Sequence, residues 1–276
     1  MPRDAHLWAE RFDGDTLDLF ALQDEITSRI AIALNVELVG AAAARPTEHP
    51  DALDYILRGR AVMNTPPSLE SIAVAISLLG RALALDPGSV EAQCLLAIIL
   101  ARRALDFIGS AHDTDIGRAE ELAAKAIVTS PRSALAHIAK GNVLRLQGRC
   151  AEAIPEYETA LNLDRNSVNT LASIGRCNIY IGPIEEGIAA QEQAMRLSPR
   201  DPQIWSWRFR IGEGRLLQSR IDEAILWLEK ARNANPAPAY IHAYLALPMP
   251  SGARPDAPLW NWPRPAGWVA RVLTRA

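Results

Sequence analysis

Aromatic side chains make up only 6% of this 276-residue chain, so its core has few large rings to build on. Such a core must be thin and closely packed, which suits slender helices better than a wide globular interior. Long apolar runs are missing as well. The longest, Cys94–Ala101, falls well short of the about twenty residues that cross a bilayer. The opening MPRDAHLWAERFDGD has no apolar signal-peptide core, so a soluble, cytoplasmic protein without a membrane partner is expected. Cysteine is sparse: Cys94, Cys150 and Cys177 form no C-x-x-C and have no histidine at ligand spacing. That pattern argues against a metal site and for small buried hydrophobes in a reducing compartment. A formal net charge of −3 and a pI near 6.0 exert no global pull toward nucleic acid or an anionic membrane.

Catalytic patterns are absent too. The sequence holds no G-x-x-x-x-G-K-[ST], G-x-S-x-G or H-E-x-x-H. His6, His49, His112, His137 and His242 stand apart from one another. The carboxylate pairs Glu185-Glu186 and Asp222-Glu223 fall where second helices of a repeat would start, and there they complement the helix dipole. No catalytic residue, cofactor or metal ligand is therefore assigned, and an enzyme is not expected.

What the chain does have is a pattern written twice across Ala134–Pro199. Gly141 falls on Gly175, Gly148 on Gly182 and Ala160 on Ala194, each pair 34 residues apart (141 to 175). Each copy offers a small residue in a first helix where the next helix must come close. A glycine follows at the turn, where positive φ is cheap. The second helix then packs through Ala153, Tyr157 and Ala160, or Gly187, Gln191 and Ala194, at i, i+4, i+7. Asp164-Arg165 and Ser198-Pro199 close the units. One such hairpin cannot bury its apolar stripe alone, so neighbours must stack. The pattern resembles the tetratricopeptide repeat, and the resemblance implies an all-α helix–turn–helix solenoid coiled into a right-handed superhelix.

Taken in order, His6–Phe12 alternates like a short strand and Asp13-Gly14-Asp15 is a turn signal. Asp15 or Asp18 then caps a helix over roughly Leu17–Val39, with Leu19, Leu22, Ile26, Ile30 and Leu34 on one apolar face and a linker from Gly40 to Pro46. His6-Leu-Trp and Phe20-Ala-Leu-Gln-Asp-Glu-Ile resemble the segment that precedes the repeats in bacterial regulators. In those proteins an adenylate/guanylate cyclase or winged-helix domain is followed by a TolB-like domain and then tetratricopeptide repeats. The resemblance implies that 1–46 is the remnant of a TolB-like domain and that Met1 opens inside what relatives encode as a longer chain.

About five repeats and the start of a sixth fill 47–246. Ala52–Met63 and Leu69–Leu85 form the first, with Ser68 as cap, and Ala75, Leu79 and Ala82 at the packing positions. The second carries about ten surplus residues, Asp106–Asp115, between helices ending near Leu105 and starting at Ile116. The fifth matches after three extra residues beyond Pro202, with Trp205 and Trp207 in the lengthened approach. From Leu247 on, six prolines and three tryptophans forbid the helix the repeat requires, and 247–276 is expected to be an irregular, frame-shifted tail. The array then ends without a polar capping helix, and self-association through that uncapped repeat is expected.

What remains is binding. By repeat register Asn142, Arg145, Asn169, Arg176, Ile179 and Tyr180 face the concave groove built from the first helices. Two arginines and two asparagines near a tyrosine suit an extended peptide with a carboxylate. The expected role is a protein–protein interaction or scaffolding module of a bacterial signalling regulator, with a protein or peptide partner rather than nucleic acid. The alternative is a part of a class III adenylate/guanylate cyclase, whose catalytic residues belong to a domain this sequence does not contain. A DNA-binding regulator would need a winged-helix domain and a basic face, neither of which is found.

Overall fold

The computed structural model describes residues 19–44, 50–106 and 112–246. Among these residues every regular element is an α-helix. A long helix α1 (Leu19–Ala43) precedes five hairpins: α2 (Ala52–Met63) with α3 (Leu69–Leu85), α4 (Val90–Asp106) with α5 (His112–Thr129), α6 (Ala134–Leu146) with α7 (Cys150–Leu163), α8 (Val168–Ile181) with α9 (Ile184–Leu197), and α10 (Ile204–Leu217) with α11 (Ile221–Ala234). A short α12 (Ala239–Leu245) follows. The two helices of each hairpin pack on each other and each hairpin packs on the next, which is the stacked solenoid the repeat pattern predicts.

The local chemistry that starts and stops these helices is plain. Asp51 and Asp54 form a reciprocal capping box at α2, and Ser68 and Ser71 do the same at α3, as expected for Ser68. Ser133 caps α6 through the Ala136 amide. At the turn between helices Gly148 takes φ 77° and Gly182 φ 131°, the left-handed region that a side chain resists. The fifth hairpin puts Ser219 in the same slot at φ 60°.

Within each hairpin the helices cross where a first-helix residue is small. A methyl group on Gly141 would sit 2.5 Å from Cε1 of Tyr157, and one on Gly212 would sit 2.9 Å from Cγ of Leu228. In the fourth hairpin both sides are glycine: a methyl on Gly175 would meet the Gly187 carbonyl oxygen at 2.7 Å, and one on Gly187 would meet the Gly175 oxygen at 2.5 Å. Beside that crossing Gln191 is fully buried, and its Nε2 donates to the Ala172 carbonyl at 2.6 Å. The Ala-rich second-helix positions Ala75, Ala82, Ala153, Ala160, Ala194, Ala224 and Ala231 are all fully buried.

Several expectations change. Helix α1 runs on through Gly40 to Ala43, because one glycine lowers helix propensity without stopping the hydrogen-bond ladder. Of the expected apolar face, Ile26 and Ile30 are half-buried. Leu34 is 38% exposed, whereas Ile32 packs into the cluster of Val168, Ala172, Ala194 and Trp207. Glu25–Ala43, with mean hydropathy 1.4, also has the length and apolarity to cross a membrane, by those two measures alone. A search for unbroken apolar runs misses it because Ser28, Arg29, Asn35 and Glu37 are scattered through it.

The surplus in the second hairpin is partly helical. His112–Asp115 belongs to α5, and the buried Asp115 carboxylate accepts from Arg103 at 2.5 and 2.6 Å, pinning α5 to α4. Trp205 and Trp207 lie on α10 and are buried, and the extra length falls partly in the connection 198–203 and partly in α10 itself, which starts at Ile204. The strand at His6–Phe12, the caps Asp15 and Asp18 and the tail 247–276 lie outside the described residues.

Candidate functional site

Helices α6, α8 and α10 are the first helices of the third, fourth and fifth hairpins. Arg102, near the end of α4, donates to Gln203 just ahead of α10 at 2.6 Å. Residues of the second and fifth hairpins thus meet across the inside of the coil. Helix α1 joins them there. Its Ala31, Ile32, Asn35 and Val36 form one side of a cleft of about 310 Å³, with Met63 of α2, Asn169 of α8 and Pro202 among the residues facing them.

The expected groove residues differ in their surroundings. Asn142 is buried at 9% exposure, and its Oδ1 accepts from the Tyr157 hydroxyl at 2.9 Å and from Arg145 at 3.2 Å. Arg145 is half-buried and also donates to the Tyr157 oxygen at 3.3 Å. Burial pushes the Tyr157 phenol up to about 12. Arg176 is half-buried and stacks over the Tyr180 ring, 6.0 Å from its centroid. The Tyr180 hydroxyl donates to Glu213 at 3.2 Å and accepts from Arg210 at 2.6 Å. Asn169 is exposed and belongs to the cleft beside α1.

Ile179 is a correction. At 2% exposure it packs with Ile188 and Ile211 in the core and is no part of a surface. The first helix is wedged between its own partner and the next hairpin, so a residue three positions from Arg176 already faces inward.

Sequence reasoning missed the polar core at the end of the array. Arg210 and Glu213 form an ion pair with side chains 2% and 6% exposed, and Tyr244 of α12 donates to the other Glu213 oxygen at 3.0 Å. The carboxylate overcomes the desolvation of Arg210 and keeps its guanidinium charged. Tyr240 and Tyr244 also meet Phe209 edge-on, at centroid distances of 4.9 and 5.1 Å. His137 is structural: its Nδ1 lies 2.7 Å from Glu156 and its Nε2 2.9 Å from the Pro131 carbonyl. Also missed was the meeting of Cys150 and Cys177, which share one buried cluster with Tyr157. Among the described residues no group of three or more His, Cys, Asp or Glu could hold a metal ion.

Comparison with known proteins agrees with this architecture. A tetratricopeptide-repeat family profile matches residues 114–168. A protein of Rhizobium meliloti (strain 1021) named "Putative adenylate cyclase 3" is 33% identical over 152 residues, 54% of this chain and 26% of the relative. The chain therefore corresponds to about a quarter of that protein's length. Among solved structures, a thermophilic TPR protein of Thermus thermophilus superposes with a TM-score of 0.53 at 18% identity, covering 71% of this chain and 97% of that one. Human IFIT1, solved as a dimer with m7Gppp-AAAA, gives 0.59 at 17% identity over 82% of this chain and 53% of that one. At these identities the structural likeness concerns the fold alone. The chain has the fold of a tetratricopeptide-repeat solenoid, and residues 114–168 match the profile of that repeat.

Proposed function

We propose that this chain is the interaction module of a bacterial signalling regulator and that it binds an extended acidic peptide along its inner wall at Arg145 and Arg176. One observation carries the reading. The two guanidiniums lie 31 positions apart in sequence (145 to 176) on successive first helices, yet both act on Tyr157 and on the same cysteine pair. Arg145 reaches the Tyr157 hydroxyl and Arg176 lies over the Tyr180 ring, so positive charge from both helices reaches one cluster. A carboxylate that bridges two half-buried guanidiniums gains charge-assisted hydrogen bonds in a partly desolvated setting, where such bonds are strong. Backbone groups of an extended peptide find a further partner in Asn169. Asn142 supports this site from beneath by holding Arg145, and Ile179 takes no part in it.

Selection of peptides with free carboxyl termini from a random display library tests the reading. Asp- and Glu-rich sequences should be enriched on the purified chain and should lose binding to the Arg145→Ala/Arg176→Ala variant, whose melting stays close to that of the parent. Equal capture by parent and variant would remove the arginines from the site.

A second reading has one observation in its favour, the identity to a relative named as an adenylate cyclase. On that reading the module belongs to a cyclase whose catalytic domain is encoded outside these residues. The purified chain with ATP or GTP and a divalent metal should then form no cyclic nucleotide, while the flanking sequence of the locus should encode a cyclase domain. Cyclic nucleotide made by this chain alone would contradict both readings.

A further inference from the structure

Cys150 and Cys177 lie 27 positions apart (150 to 177) and in different repeats, yet the fold brings them together. Cys150 opens α7 and Cys177 sits in the middle of α8. They are 4% and 0% exposed and pack in one cluster with Tyr157. The repeat register gives this contact a meaning. The equivalent positions one repeat earlier, each 34 lower, are Ile116 and Val143. One repeat later they are Ile184 and Gly214, the second shifted by the three extra residues of the fifth repeat. There too the two positions meet: a methyl on Gly214 would lie 3.2 Å from Cγ2 of Ile184. This is a repeat-to-repeat packing position, and only the junction of the third and fourth repeats places two sulfurs in it.

The surroundings favour chemistry at that pair. The Cys177 thiol beside it and the positive charge of the Arg145 and Arg176 guanidiniums hold Cys150 below the usual thiol range, while Cys177 is raised. Cys94 has no such company, and burial pushes its thiol up to about 12. The thiolate is the reactive form, so the three buried cysteines differ in kind.

We propose that Cys150 and Cys177 are a peroxide-sensitive dithiol that closes into a disulfide between the third and fourth repeats. The Cys150 thiolate attacks one oxygen of hydrogen peroxide, the O–O bond breaks, and hydroxide leaves, giving a sulfenic acid on Cys150. Cys177 then attacks that sulfur and water leaves, carrying the hydroxyl of the sulfenic acid and the Cys177 proton. Two thiols lose two electrons in total and the peroxide gains them. Burial selects a small oxidant over a bulky disulfide. The bond would lock together the two hairpins that carry Arg145 and Arg176, but the chemistry itself does not depend on what those arginines bind.

The test treats the reduced chain with hydrogen peroxide under native conditions, blocks remaining thiols with N-ethylmaleimide in urea, and maps tryptic peptides. The expected result is a dithiothreitol-sensitive link between peptides Cys150–Arg165 and Cys177–Arg196, with maleimide on Cys94 alone. In Cys177→Ser, which keeps a donor beside Cys150 but cannot close the bond, the Cys150 sulfenic acid should persist and be captured by dimedone added with the urea. In Cys150→Ile/Cys177→Val, which restores the side-chain types of the earlier repeat, Cys94 should take up maleimide with or without peroxide. Survival of all three thiols at peroxide levels that oxidise free glutathione would overturn the proposal. So would thiol loss without the linked peptides, or a link through Cys94.

Discussion

The crossing of α8 and α9 at two glycines makes opposite predictions for one kind of substitution at two places. In Gly187→Ala the new methyl would lie 2.5 Å from the Gly175 carbonyl oxygen and 2.7 Å from Cγ1 of Ile179. The first neighbour is helix backbone and cannot swing aside, so the two helices must separate. Overpacking of this kind costs about 1–3 kcal/mol, against a helix-propensity gain of about 0.5–1 kcal/mol from replacing glycine. The net expectation is a loss of about 1–2 kcal/mol, or about 2–6 °C in Tm for a chain of this size. Gly117 is exposed in α5, and a methyl there would meet nothing within 4 Å. Gly117→Ala should therefore gain about 0.5–1 kcal/mol and raise Tm by about 2–3 °C. Thermal unfolding followed by circular dichroism at the helical band, with both variants beside the parent, reads the signs directly. A Gly187→Ala protein that melts at or above the parent would refute the close crossing on which the hairpin register rests.

Other expectations follow from the same contacts. Ser219 holds φ 60° in a slot where the two preceding hairpins have glycine, so Ser219→Gly should stabilise by about 1 kcal/mol in urea unfolding. Arg210→Met leaves Glu213 buried without its cation and should cost about 3–5 kcal/mol. Adding Glu213→Gln to that background removes the orphaned charge, keeps an acceptor for one of the two tyrosine hydroxyls and offers an amide N–H to the other, and should recover part of the loss. Glu156 is held below the ordinary carboxylate range: burial opposes its charge, but hydrogen bonds from Lys140 and His137 outweigh that. A carboxylate depressed in the folded state adds stability that is present above its unfolded pKa, about 4.3, and is lost as pH falls through the folded value. Glu156→Gln should flatten the acid limb of the stability profile below that pH and leave the neutral limb's slope unchanged.

The solenoid was legible in the sequence because its determinants are local and repeated. Gly141, Gly148, Ala153 and Ala160 have partners at fixed distance, and each answers one local demand: close approach, positive φ or a thin helix. The inner wall was less legible. Register places a residue on a helix face, but whether that face meets solvent depends on the next hairpin, and Ile179 was lost to the core for that reason. Asn142 and Tyr180 were expected to face the groove, and the partners that tie them down, Tyr157 and Glu213, were not legible. Contacts between non-adjacent repeats, such as Arg102 with Gln203 or Ile32 with Trp207, depend on the pitch of the coil, which no single repeat encodes. The cysteine pair had a faint signal in the register: one position of the second helix and one of the following first helix are aliphatic on the earlier side and cysteine at one junction. Spacing rules for metal ligands or redox motifs do not look for sulfurs 27 residues apart.

The central claim is that an acidic peptide lies on the inner wall between α6 and α8. It is tested most directly by photo-crosslinking a selected peptide, carrying a benzophenone beside its terminal carboxylate, to the intact chain and sequencing the adduct. The account predicts adducts within Ala134–Leu146 and Val168–Ile181, abolished in Arg145→Ala/Arg176→Ala. Adducts on the outer helices α7 and α9, or adducts unchanged in that variant, would contradict it.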